Sequence, residues 1–123
     1  KETMMFAGEV ALKDIAWQIP KGDLGYFVVR EFEGKGIITE AVRLVLPFAF
    51  EMLALRKLQV RCAAENVRSQ RVGERCGFKV EGVLRNDFVI ADGRTLIDLV
   101  YSGMTDSDYR TLRVKPPVVG GFR

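Results

Sequence analysis

Arg30-Glu31-Phe32-Glu33-Gly34-Lys35-Gly36-Ile37-Ile38-Thr39-Glu40-Ala41 joins two kinds of sequence. The residues before it read as strand, and those after it as one long helix. Glu33-Gly34-Lys35-Gly36 is a glycine-punctuated turn between them. A helix start leaves its first N–H groups without intrahelical partners and carries the positive end of the helix dipole. Glycine lets a backbone approach an anion with no Cβ in the way. Strand, G-x-G turn and helix start together fit a phosphate cradle, or else a tight connection. The third glycine of a dinucleotide fingerprint is absent, and so is the Lys-Ser/Thr ending of a P-loop.

Upstream, Leu24 to Val29 is nearly all apolar, which predicts a strand buried on both faces. Pro20-Lys21-Gly22-Asp23 carries turn chemistry. Ala16 to Ile19 predicts a short strand, and Met4 to Leu12 a longer one with Gly8 as a bulge. Downstream, Ile37 to Leu55 predicts a helix with a narrow polar stripe of Glu40, Arg43, Pro47 and Glu51. Such a helix needs cover on most of its circumference, and Pro47 should kink it. Leu58 to Ala64 alternates as a strand. Asn66 can cap a short helix over Val67 to Cys76, and Gly77 fits its left-handed end. Phe78 to Val83 and Phe88 to Ile90 read as extended, and Asp92-Gly93 as a hairpin turn into a last strand, Leu96 to Met104. Residues 105–123, with Pro116-Pro117 and Gly120-Gly121, read as a loose tail.

At 123 residues the chain is one domain, its core spanning about 4–104. A net charge of +3 with no basic run is far from a nucleic-acid footprint. The apolar stretch from Val42 to Leu55 is broken by Arg43, Pro47 and Glu51, so no membrane span is expected. There is no histidine, which removes Ser-His and Cys-His catalysis and most zinc sites. No metal is expected. Cys62 and Cys76 form no C-x-x-C pair and read as packed free thiols in a reducing cytoplasm.

Two ordered stretches, LGYFVVREFEGKGIITEAVRLVLPFAFEML and LQVRCAAENVRSQRVGERCGFKVEGVLR, resemble the GNAT acyltransferase superfamily. They are most similar to its RimJ/RimL branch of protein N-terminal acetyltransferases. Asp98-Leu99-Val100-Tyr101-Ser102 matches that branch's closing strand, so the resemblance covers roughly Gly8 to Tyr101. It implies a GNAT fold of the α/β (α+β) class: a mixed, mostly antiparallel sheet with one long and one short helix. It also implies that the diphosphate of acetyl-CoA lies on backbone donors from Gly34, Lys35, Gly36, Ile37, Ile38 and Thr39. The pantetheine would add like a strand against Phe27, Val28 and Val29, in a splay beside the Leu58 to Ala64 strand. Asn66 and Ser69 would face the pantetheine and the sulfur.

Three departures from the family stand out. Glu31 occupies a position where the superfamily has Gln or Arg, and with Glu33 it opposes the diphosphate, leaving Lys35 and backbone donors to outweigh it. The helix position at which many members carry a proton-donating tyrosine is Gly73. The family's leading strand and two helices, which wall the acceptor site, would precede Lys1, so the chain reads as N-terminally truncated. The apolar helix left bare would favour a homo-oligomer.

The chemistry implied is direct attack of an amine on the thioester of acetyl-CoA, without a covalent enzyme intermediate. The acceptor is expected to be a protein N-terminal α-amine; a polyamine, an aminoglycoside or a non-catalytic CoA-binding module are the alternatives. Ser69 is the candidate proton relay to the leaving thiolate, or a plain first-turn serine. Asn66 is equally a plain N-cap. Asp23 and Glu9 are candidate bases, Asp23 with a turn aspartate as the rival reading. Asp98 reads as structural in preference to cleft-facing, and Glu40 as a solvated residue at the helix start.

Overall fold

The computed structural model describes residues 8–29, 34 and 36–114. Residues 4–7 of the expected first strand, 30–33 with Glu31 and Glu33, Lys35 and the tail from 115 onward lie outside the described residues. Five strands, β1 (Gly8–Ala16), β2 (Lys21–Val28), β3 (Lys57–Ala63), β4 (Lys79–Val89) and β5 (Leu96–Thr105), form one sheet in the order β1-β2-β3-β5-β4. Only β2 and β3 run parallel, so the sheet is mixed and mostly antiparallel as expected.

Helix α1 (Ile37–Pro47) continues as a π-helical segment (Phe48–Met52); α2 (Val67–Cys76) and α3 (Asp106–Val114) complete the fold. One core gathers Leu24, Leu58, Val60 and Met104 from the sheet with Val42, Leu46, Ala49 and Phe50 from the first helix. Cys76 of α2, Phe78 and Tyr109 of α3 join it, so all the helices lie on the same face of the sheet. Strand residues alternate between faces, which puts Asp23, Gln59, Arg61 and Tyr101 on the other face.

Several expectations need correction. β1 runs on to Ala16, and residues 17–20 are the turn, not a second strand. The Ile19 N–H closes that turn on the Ala16 carbonyl at 3.2 Å. Gly22 and Asp23 therefore belong to β2, where they pair with Leu58 and Gln59. Ladder hydrogen bonds outweigh their turn preference. β2 is not buried on both faces: Leu24 is 2% exposed and Phe27 49%, because the helices cover one side only.

The long helix ends at Met52, three residues short of the expected limit. Pro47 has no N–H to donate, and the α-helical pattern stops there. The π segment takes over, with Leu53 N–H bonded to the Phe48 carbonyl five residues back, at 3.0 Å. Cover is also less complete than expected, since Leu44 and Met52 stand 76% and 75% exposed.

The two extended pieces after Phe78 are one strand, β4, bulged between Val80 and Gly82 and again between Leu84 and Phe88. Residues 105–114 are not a loose tail. Thr105 and Asp108 form a reciprocal capping box, each side chain accepting the other's backbone N–H at 3.0 Å. It starts a third helix, whose Tyr109 ring stacks on Phe50 with centroids 5.0 Å apart.

Candidate active site

The parallel pair β2 and β3 is joined only at Lys21↔Lys57, Gly22↔Leu58 and Asp23↔Gln59. Beyond that point β2 pairs only with β1, and β3 only with β5. The strands therefore part in a V, with Asp23 at its apex and Phe27, Val28 and Val29 along one arm. Among the described residues no β2–β3 ladder continues past Asp23↔Gln59, and such a gap suits an amide-bearing ligand laid in like a strand. This is the splay that the resemblance implied.

α1 begins past the end of β2. Gly34 and Gly36 both have left-handed φ, 79° and 74°, and a Cβ built at either meets nothing within 4 Å among the described residues. The N-cap Gly36 offers no side-chain hydrogen bond to the helix. Glu40 N–H closes the first helical bond on the Gly36 carbonyl at 3.0 Å, which leaves the N–H groups of Ile37, Ile38 and Thr39 ahead of the intrahelical ladder. Open space, left-handed glycine and uncapped donors meet the requirements of an anion cradle. Glu40 is exposed in the first turn, as expected.

α2 begins past the end of β3 and is capped differently. Asn66 Oδ1 accepts the Ser69 N–H at 3.1 Å. Gly77 ends the helix in the left-handed conformation, φ 102°, as the sequence implied. The first turn of α2 is tied to β2, because Tyr26 Oη donates to the Ser69 carbonyl at 2.8 Å. Its last turn is tied to α1, where Cys76 Sγ donates to the Thr39 carbonyl at 3.6 Å. Seven residues at 1.5 Å rise put these two ties about 10 Å apart along α2.

The ionisable groups here are tuned mainly by burial. Burial pushes the Tyr26 phenol up to about 12, against a smaller lowering by Ser69. Burial also raises the Cys76 thiol to about 11 and, to a lesser extent, the Cys62 thiol, the latter opposed by a hydrogen bond from Ser69. Both cysteines are free, and Cys76 is buried.

Asp23 is not a turn residue. It accepts from Arg61 Nη2 at 3.0 Å and from Gln59 Nε2 at 3.3 Å. It faces away from the helices, whereas Ser69 is on their side, so the two candidate catalytic side chains flank the V from opposite faces. Glu9 is exposed on β1, in register with Phe27. Asp98 is structural: its Oδ1 accepts Asn86 N–H at 2.9 Å and holds the β4 bulge. A cavity of about 760 Å³ opens at that bulge, lined by Val83, Leu84, Arg85, Asn86, Asp87 and Asp98.

The sequence reading did not single out Tyr26, Gln59 or Arg61. Tyr26 shares the alternation of Leu24 and was legible as a helix-facing residue. Arg61 and Gln59 meet Asp23 only through the parallel pairing, which no local pattern announces.

Residues 1–79 match the family described as acetyltransferase (GNAT) domain. The chain is 35% identical over 102 residues to the putative ribosomal N-acetyltransferase YdaF of Bacillus subtilis, covering 83% of this chain and 55% of that one. It is 32% identical over 84 residues to the spermidine N(1)-acetyltransferase of Escherichia coli K12, covering 68% of this chain and 45% of that one. Among solved structures, a probable acetyltransferase superposes with a TM-score of 0.77 at 36% identity, over 82% of this chain and 55% of the other. A variant of the spermidine N-acetyltransferase SpeG from Vibrio cholerae gives 0.75 at 26%, over 84% and 60%. The chain spans about half the length of the curated relatives it matches.

Proposed function

The chain belongs to the GNAT acetyltransferase family, and from that premise we propose that it moves an acetyl group from acetyl-CoA to an amine. The observation that carries the reading is the V between β2 and β3, with an uncapped glycine helix start at its open end. In this reading the diphosphate rests on backbone N–H groups from Gly34 to Thr39, with Lys35 adding charge. The pantetheine adds like a strand alongside Phe27, Val28 and Val29. Asn66 uses its amide N–H on the pantetheine while its oxygen caps α2. The acetyl group when bound supplies the electrophilic carbonyl. Asp23, held by Arg61 and Gln59, draws a cationic amine to the apex and accepts its proton, and Ser69 relays a proton toward the sulfur.

The acceptor we favour is a protein N-terminal α-amine, supported by the likeness to the putative ribosomal enzyme. Spermidine or a similar small amine is the second reading, favoured by the likeness to spermidine acetyltransferases. Thiol release from acetyl-CoA, followed in parallel with a free-N-terminus peptide and with spermidine, separates them. Release with the peptide is expected. Release with spermidine alone replaces the first acceptor by the second. Binding of CoA with no release for either amine overturns the transfer reading and leaves a binding module.

A further inference from the structure

We propose that the Tyr26 phenol holds the departing sulfur, as a standing hydrogen-bond donor and not as an acid. The inference rests on the acetyl-CoA reading above. Tyr26 lies three residues past the apex of the V, where β2 has already left β3. Its side chain crosses on the helix side to the first turn of α2 and donates to the Ser69 carbonyl at 2.8 Å. The phenol oxygen sits beside Gly73, 3.6 Å from where a Cβ would be, so the absent side chain leaves room for it. Cys62 from β3 and the Ser69 side chain from α2 lie beside it. Tyr26 therefore floors the V at the end where the sulfur would lie.

The present bond of the phenol is expendable. A helical carbonyl such as that of Ser69 has its intrahelical donor four residues on, so the phenol can turn to a new acceptor without orphaning it. As the amine attacks, the C–N bond forms, the C–S bond breaks and the electron pair goes to sulfur. A thiol loses its proton at about 8.5 in water. A phenol held up to about 12 by burial does not surrender its proton to such a thiolate. It keeps the proton and donates a hydrogen bond that strengthens as charge grows on sulfur, in the manner of an oxyanion donor. The amine attacks neutral, its first proton already with Asp23, and the second proton that its nitrogen loses once the C–N bond has formed reaches the sulfur through Ser69 or water.

The test is the titration of bound CoA, read from thiolate ultraviolet absorbance, in the wild type and in Tyr26→Phe. The bound thiol should titrate about one unit lower in the wild type, because the donor favours the charged form. With acetyl-CoA and a working acceptor, Tyr26→Phe should lower kcat about 10- to 100-fold and leave KM for acetyl-CoA within about twofold. A fluorinated tyrosine at position 26 keeps ring and hydroxyl and should lower the thiol titration further. That variant carries the test if Tyr26→Phe does not fold. Identical thiol titrations across these proteins, even with a lower melting temperature, would reduce Tyr26 to a clamp between β2 and α2 and overturn the proposal. Failure of the wild type to bind CoA by calorimetry is a separate result, which removes the acetyl-CoA reading and this inference with it.

Discussion

The two helices that begin at the open end of the V start in opposite ways. α1 opens on Gly36, left-handed and without a side-chain cap. α2 opens on Asn66, whose own oxygen takes up the Ser69 N–H. Both starts expose the same kind of donor. α2 satisfies one from within and offers side chains, Asn66 and Ser69, to the V. α1 offers backbone donors and, among the described residues, open space. In the proposed reading the charged end of the ligand goes to α1 and the reacting end to α2.

The largest expected effect comes from closing the α1 start. Gly36→Glu puts a carboxylate into the open space and should weaken CoA binding by more than about 100-fold, with helix content by circular dichroism intact. Gly36→Ala is the control, since it pays only the left-handed strain of about 1–2 kcal/mol. Equal binding losses by calorimetry for Ala and Glu would mean that strain, not occupancy, matters, and the contrast between the two starts would lose its point.

At the α2 start, Ser69→Ala should lower kcat about tenfold and leave the affinity for acetyl-CoA unchanged. An unchanged kcat would make Ser69 a plain first-turn residue. Asn66→Ala should cost about 1 kcal/mol of stability through the lost cap. Asn66→Asp keeps the capping oxygen and removes the amide donor. If Asn66 also serves the pantetheine, the Asp variant should weaken CoA binding with no loss of unfolding midpoint in urea.

The start of α3 sharpens the comparison with the smallest effect. There both capping groups are internal, and Asp108 is held below the usual carboxylate range, first by the Thr105 N–H and then with help from Lys79. A depressed carboxylate contributes stability that is complete above its unfolded pKa of about 3.9 and is lost as pH falls through its folded value. Urea midpoints of the wild type and Asp108→Asn should therefore differ at pH 7, by about 1 kcal/mol or less, and converge in acid. A difference that persists in acid would show that the carboxylate charge is not what starts α3.

The strand–glycine–helix unit, the Asn66 cap and the hairpin at Asp92-Gly93 were legible because each is fixed by neighbours in sequence. Asp92 Oδ1, for example, accepts the N–H groups of Arg94 and Thr95 at 2.8 Å within its own turn. The third helix was legible too, in Thr105-x-x-Asp108, but the Pro and Gly of the tail drew attention away from it. The turn at residues 17–20 was misplaced because Pro20 and Gly22 favour a turn locally, while the pairing of Gly22 with Leu58 is 36 residues distant. The same distance hid the contacts of Asp23 with Gln59 and Arg61. The glycine turn and Asn66 were in this way readable parts of the candidate site, whereas its apex and the Tyr26 floor depend on long-range pairing.

The parting of β2 and β3 also sets how amides trade protons with solvent. Past Asp23, β2 has a neighbour on the β1 side only. Its amides aimed into the gap belong to a strand interior yet have no ladder to shield them, so they should exchange with deuterium nearly as fast as a loop. Their neighbours aimed at β1 should remain slow, giving an alternation from one residue to the next within a single strand. A ligand that completes the ladder would erase that alternation, and the residues that slow down would trace its path through the sheet one amide at a time.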